Sequence, residues 1–308
     1  MEPLPEAEGG LIVYDVSLVP AEPETGLIYR HRPRLLASAA ELLHRGEVIF
    51  TLAERDIRAQ YKQAFLGVGW ALLTPLVSLA VLVLLVNHVK SFSIGGQVPT
   101  ILTVYVGLLT WGFFGGAVGG GSNSLVSNKS LMAKSHFPRE CFPMSQVLGS
   151  AFTSLMATVP LAVLFAITAF PPKPTTVWVP LYIAIEVPVT VGIVLLVSSV
   201  IVQMRDLQQI VPILMPLAMI ITVIKPLSVE MHHQLVANPA AFVHGWGRIA
   251  YCVINPMAPI IDNVRASVLL GFGPQVDLLV PAIIGSIAYL CIGYVVFKKL
   301  EVNFADLT

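Results

Sequence analysis

Several groupings in this chain use the residue types of known chemistries, and each can be tested against the spacing that its chemistry requires. Gly107 to Gly112 spells the G-x-x-x-x-G of a phosphate-cradling loop, but Phe113 stands where that loop needs Lys. Gly245-Trp-Gly-Arg-Ile-Ala250 spells a dinucleotide fingerprint, yet Asn, Pro and His precede it rather than a strand pattern. His232, His233 and His244 have no carboxylate or Cys at ligand spacing, so solvated loop histidines are expected and no metal site is. Cys141, Cys252 and Cys291 are odd in number and far apart, without a C-x-x-C pair, and read as buried apolar thiols. No catalytic residue is expected.

What remains is a lone carboxylate. Glu186 falls about three turns into an apolar stretch, where an ionised group is costly unless it faces a bundle interior or an aqueous cavity. It either lines a path or accepts a hydrogen bond from a neighbouring helix. One carboxylate is too little for an ion-coupled pump.

The elements that carry these residues are set by hydropathy. Ala64 to Val89 contains no Asp, Glu, Lys or Arg over 26 positions, and Ser91 to Asn128 contains none either. Each run exceeds the roughly 20 apolar residues that a helical crossing needs, and neither offers the polar face of a soluble helix. The chain has 308 residues, 56% hydrophobic and only 12% charged, with mean hydropathy +0.79. Globular domains carry roughly 25% charged residues, so half the usual charge is missing. Zero net charge argues against a nucleic-acid binder.

The expected fold is an all-α membrane protein with six transmembrane helices. They run over about 68–89, 100–125, 144–170, 177–202, 207–224 and 278–297. Pro212 and Pro216 should kink the fifth. Domain boundaries follow. A flexible cytoplasmic tail covers 1–34, acidic and Pro-rich, with no Lys or Arg before Arg30 and so no secretory signal. An amphipathic interface helix covers 35–66, and the six-span domain 67–300, with a cytoplasmic loop at 126–143 and an external segment at 226–274. A short cytoplasmic C-terminus covers 301–308. With both ends inside, 13 of the 18 Lys and Arg lie on the cytoplasmic side, as the positive-inside rule asks.

In the interface helix, Phe50, Ala53, Ile57, Tyr61 and Ala64 recur on one face, and Arg55, Arg58 and Lys62 share another. The basic stripe either anchors on anionic lipid or meets a substrate. Gly112, Gly116 and Gly120, with Gly115 and Gly119 beside them, make a small-residue row that permits close helix contact. That contact is either within the chain, or a homodimer seam or channel wall. In the external segment Ile260, Ile261, Val264, Val268 and Leu269 oppose Asp262, Asn263 and Arg265, the pattern of a short helix in the outer interface. It serves either as a lid or as a plain interfacial loop.

Four stretches carry a resemblance. Leu52 to Leu76 (LAERDIRAQYKQAFLGVGWALLTPL) resembles the start of the membrane subunits of ABC exporters of polysaccharides and polyol phosphates, the O-antigen, capsule and teichoic-acid branch. Val106 to Phe114 (VGLLTWGFF), Ser130 to Pro143 (SLMAKSHFPRECFP) and Asn255 to Gly271 (NPMAPIIDNVRASVLLG) resemble later motifs of that family, in the right order. Thr110 replaces a proline common there, and the acidic tail is longer than usual.

The resemblance implies a homodimeric permease in a bacterial cytoplasmic membrane. Two copies of a separate cytoplasmic ATPase would bind ATP and Mg, with no cofactor on this chain. Its cargo would be a lipid-linked glycan, a cell-wall galactan being one candidate. Carried over by position, Lys129, Lys134, His136, Phe137, Pro138, Arg139 and Glu140 would belong to the coupling loop that docks on the ATPase. Arg55, Arg58 and Lys62 would steer a lipid diphosphate at the entrance. Asn255, Pro256, Asp262 and Arg265 would belong to short external gate helices. The alternatives are a permease for a drug or small lipid, and a membrane enzyme acting on lipid-linked sugars.

Overall fold

A computed structural model describes residues 45–62, 64–67, 69–88, 98–134, 138–224, 227 and 245–301. The N-terminal tail, the three loop histidines, His136 and Phe137 lie outside the described residues, as does the start of the expected interface helix. Every regular element among the described residues is helical. Helix α1 is Gly46–Tyr61, α2 Gly69–His88 and α3 Thr100–Ser127. A short α4, Lys129–Lys134, is followed by α5, Cys141–Met156, and α6, Thr158–Thr168. One 3-10 turn, Pro174–Trp178, leads into α7, Val179–Gln203, and α8 is Leu207–Ile224. The last are α9, Gly245–Ile254, α10, Met257–Arg265, and α11, Val276–Glu301.

Four helical stretches are long and apolar enough to cross a bilayer: Thr100–Ser127, Cys141–Thr168, Pro174–Gln203 and Val276–Glu301. They coincide with the expected second, third, fourth and sixth spans. Two shorter apolar helices, Gly69–Leu85 and Leu207–Val223, fall on the expected first and fifth.

Helix α3 is the centre of the fold. Leu102, Tyr105, Val106, Ala117, Val118 and Leu125 have almost no exposed surface, because α2, α5, α7, α8 and α10 all pack against it. A helix covered over most of its surface needs no polar face, which explains its lack of amphipathic pattern. The outer faces of the bundle remain apolar: Val77 and Val81 of α2, Val163 and Ile167 of α6, and Leu217 and Ile221 of α8 are all exposed. Apolar surface on this scale is what lipid contact demands.

The third span is not one continuous helix. It breaks at Ala157, between α5 and α6. Pro160 has no N–H to give the carbonyl one turn back, so the ladder is interrupted here. Thr158 Oγ1 caps the Leu155 carbonyl at 2.6 Å, and the buried Tyr105 hydroxyl donates to the Ala157 carbonyl at 2.9 Å. Two carbonyls beside the break thereby gain side-chain donors inside the membrane.

Helix α6 ends on Ala169 at φ +50°, with the Phe170 N–H bonded to the Phe165 carbonyl at 3.3 Å and Pro171 and Pro172 following. This is the left-handed terminator usually filled by Gly. Ala169→Gly should therefore stabilise the protein by about 0.5–1 kcal/mol, read as a higher unfolding midpoint in detergent; a lower midpoint would refute it.

Two close approaches fix the neighbours of α11. A Cβ on Gly293 would overlap the Gly192 carbonyl, and one on Gly192 would overlap the backbone at Tyr289. Helices α7 and α11 thus touch backbone to backbone. Nearer the start of α11, a Cβ on Gly285 would overlap the Val253 carbonyl of α9, and the Tyr289 hydroxyl donates to the Ile254 carbonyl at 2.7 Å.

Candidate functional site

Three regions hold most of the residues singled out from the sequence: a basic cleft at α1, the loop around α4, and the segment of α9 and α10 that is expected on the outer side. In α1 the buried face is Leu52, Ala53 and Tyr61, set against α5. Phe50, expected on that face, is instead 62% exposed and projects away from the protein. The buried stripe is displaced because Asp56 reaches α5: its Oδ2 accepts from Gln146 Nε2 at 2.6 Å.

Arg55, Arg58 and Lys62 do line one open cleft, of about 890 Å³, with Thr51, Tyr61 and Gly67. Two of the three cations are already engaged. Arg55 pairs with Asp56 at 2.6 Å and donates to Asn128 Oδ1 at 2.8 Å, which ties α1 to the end of α3. Arg58 pairs with Glu54 at 2.5 Å on the exposed side. Such exposed pairs contribute roughly 0–1 kcal/mol, so an incoming phosphate could displace the carboxylate on Arg58 at little cost. Lys62 is exposed at the lip.

Behind Tyr61 a second cavity, of about 270 Å³, runs between α2, α3 and the α5–α6 break. Gly112 and Gly116 line it, with the hydroxyl residues Thr74, Ser78, Thr153 and Ser154. The small-residue row of α3 is therefore divided. Gly116 faces Ser150 and Gly120 faces Gln146, both on α5, so these two admit close packing within the chain. Gly112 has nothing within 4 Å of where a Cβ would stand. Gly115 is covered by its own Trp111, and Gly119 is open.

In the loop, Lys129 is exposed on α4, while Leu131 and Met132 pack against a buried cluster that includes Leu125, Phe142 and Phe297. Lys134 ends α4. Pro138 and Arg139 are half-buried and Glu140 is fully buried. The Glu140 carboxylate pairs with Lys298 near the end of α11, which also bonds Glu301 at 2.9 Å. Arg139 Nη1 donates to the Glu301 carbonyl at 2.8 Å. Burial pushes the Glu140 carboxyl above its ordinary range, the nearby Glu301 pushes the same way, and Lys298 opposes both. Sequence reading placed Lys298 only among the inside charges, since nothing in its neighbourhood signals a partner more than 150 positions away.

The outer segment departs most from expectation. Its polar residues were expected to face the membrane–water interface, but every residue of Met257–Arg265 is buried. Asp262, Asn263 and Arg265 turn into the protein because they satisfy backbone groups there. Arg265 Nε donates to the Thr103 carbonyl at 2.9 Å, and Nη2 to the Val223 carbonyl at 2.5 Å. Val223 lies in the last turn of α8, so Arg265 supplies both a hydrogen bond and a positive charge to a helix C-terminus. Asp262 Oδ2 accepts from the Leu227 N–H, and Asp262 Oδ1 lies 3.8 Å from Arg265.

Gly107 is the cradle for the guanidinium: a Cβ there would overlap it. Burial pushes the Arg265 guanidinium down to about 10, with Asp262 opposing, so it stays charged at neutral pH. Asn263 Nδ2 donates to the Pro259 carbonyl at 2.8 Å, and its Oδ1 accepts from the Gln275 N–H at 2.8 Å. Asn255 donates to Thr222 Oγ1 at 2.9 Å, while the neighbouring Pro256 touches the Gly285 position of α11. Past α10 a wide π turn, Ala266–Leu270, is held by Tyr182 and Ser267, whose hydroxyls lie 2.7 Å apart. Gly271, at φ +85°, closes it. The result is a locked polar knot joining α3, α8 and α10.

Glu186 is 3% exposed on α7, and its Oε1 has no hydrogen-bond partner among the described residues. Among the described residues no group of His, Cys, Asp and Glu is placed to hold a metal ion. Cys141 and Cys252 are buried thiols, whereas Cys291 is exposed.

Residues 47–227 match the ABC-2 type transporter family. Across nearly the whole length the chain is similar to an O-antigen export system permease protein, RfbA, of Myxococcus xanthus. Identity is 27% over 269 residues, covering 86% of this chain and 97% of that one. Two RfbA permease proteins of Klebsiella pneumoniae are 23% and 22% identical, each covering 85% of this chain and 95% of their own.

Proposed function

Because this chain belongs to the ABC-2 type transporter family, we propose that it is the permease half of an ABC exporter that carries a polysaccharide of O-antigen type across the cytoplasmic membrane. The observation that carries this reading is the end-to-end similarity to three O-antigen export permeases. The energy source is a separate ATPase subunit in two copies, and the permease works as a homodimer.

Six crossings complete the bundle. Helix α2, with 20 residues, and α8, with 18, are roughly 30 and 27 Å long, close to the thickness of the hydrocarbon. Both termini are then cytoplasmic. This places the α4 loop and the α1 cleft on the ATPase side, and the knot of Asp262 and Arg265 on the far side.

Each region has a role in that frame. Residues Lys129 to Arg139, with Lys134, His136, Phe137 and Pro138 between, dock on the ATPase, while Glu140, expected among them, has no exposed surface and holds the loop from within. Arg55, Arg58 and Lys62 receive the diphosphate of a lipid-linked glycan, Arg58 by exchanging Glu54 for phosphate oxygens. The open wall at Gly112 faces the path or the second copy. Among the described residues Glu186 is the one carboxylate buried deep in a crossing. A bore of low charge suits a long neutral polymer, which must slide without sticking. The outer segment, with Asn255 and Pro256 at the start of α10, holds the exit in register.

The test is ATP-dependent uptake into inverted vesicles containing this chain and its ATPase. A glycan on polyprenyl diphosphate should accumulate at least about tenfold over vesicles without the ATPase, and a hydrophobic drug should not. Uptake of the drug in place of the glycan would favour a small-molecule exporter. ATP hydrolysis or sugar-lipid turnover by the purified chain alone would overturn the reading.

A further inference from the structure

At the cytoplasmic end two opposite charges are buried together. Glu140 has no exposed surface and Lys298 is 6% exposed. Lys298 pairs with both Glu140 and Glu301, and Arg139 bonds the carbonyl of Glu301. One ammonium thus bridges two carboxylates. Beside them Leu131 and Met132 of α4 pack on the cluster that includes Phe142 of α5, Leu195 of α7 and Phe297 of α11. The loop is thereby attached to the end of α11 by both apolar and ionic contacts.

The two kinds of contact do different work. Apolar burial is non-directional and would let one surface slide over the other. A buried ion pair resists separation along its axis, because the charges have no water to go to. Helix α11 then continues without a break to the other face of the bundle. Along it lie the backbone contact with Gly192 of α7, and then the contacts of Gly285 and Tyr289 with α9.

We infer that Glu140, Lys298 and Glu301 form the joint through which movement of the coupling loop reaches α11 and, along it, the outer segment. They are positioning residues and touch no cargo. The inference rests on the permease reading, since it needs an ATPase to move the loop.

Lys298→Met, Lys298→Arg and the double variant Glu140→Gln/Lys298→Met separate the possibilities, each purified as the full complex with its ATPase. Three quantities are read: ATPase capture, ATP hydrolysis and glycan exported per ATP. Lys298→Met should keep capture and hydrolysis within about twofold and lose about tenfold in export per ATP. Lys298→Arg, which keeps the charge, should stay within about threefold of the unmodified chain. Should Lys298→Met fail to fold with an unpaired carboxylate inside, the double variant decides. It removes the buried charge from both partners and should assemble yet stay uncoupled. Normal export per ATP by either charge-removing variant overturns the joint. Failure of the unmodified chain to capture any ATPase would overturn the permease reading itself, and the joint with it.

Discussion

Arg265→Met should destabilise the folded protein by about 3–5 kcal/mol and abolish export. The substitution keeps the bulk of the stem and removes three interactions at once. Asp262, with no exposed surface, loses the cation 3.8 Å away. The Val223 carbonyl loses the donor that caps α8, and the Thr103 carbonyl loses a second bond. A buried carboxylate that has lost its nearby cation is the largest of these costs. Arg265→Lys should fall between, because an ammonium carries the charge but cannot fork between two carbonyls held by different helices. Asp262→Asn/Arg265→Met should recover about 2 kcal/mol over the single variant, since no naked charge remains. Thermal unfolding in detergent, followed by size exclusion, measures all three. A single variant within about 1 kcal/mol of the parent would show that the knot is not structural.

The second large effect is expected at Gly293. Valine there must displace the Gly192 carbonyl, which belongs to a packed backbone and has no rotamer to escape into. Separating α7 from α11 should cost about 3 kcal/mol or more. Gly112→Ala is the matched control on another span. With nothing within 4 Å of the new Cβ, it should leave the unfolding midpoint unchanged or slightly raised. The pair also discriminates two uses of glycine: a stability loss at 293 against an export loss without instability at 112. Equal midpoints for Gly293→Val and the parent would refute the packing argument.

The spans were legible because a bilayer imposes one simple demand, length without charge, and α3, α7 and α11 meet it openly. The charges were harder. Arg265 reads as the polar face of an interfacial helix, since local hydropathy assigns any guanidinium to water. Its true partners, Thr103 and Val223, are 162 and 42 positions distant. Lys298 likewise counts toward orientation, while its bond to Glu140 depends on two helix ends meeting. The spacing of Arg55, Arg58 and Lys62 brings them to one cleft, but spacing alone says nothing of Asp56 and Glu54, which pair with two of them. The interruption at Ala157 did leave a local trace, Thr158-Val-Pro160, which the apolar run around it hides.

That interruption gives the third crossing a knuckle, whereas the last crossing is a single stiff strut. A push arriving from below is carried the full height of the strut but is absorbed at mid-height in the jointed leg. The two should then shear past each other, the jointed leg's upper part staying behind. On the proposed coupling, the bundle should skew open on one side under load, without turning as a single block.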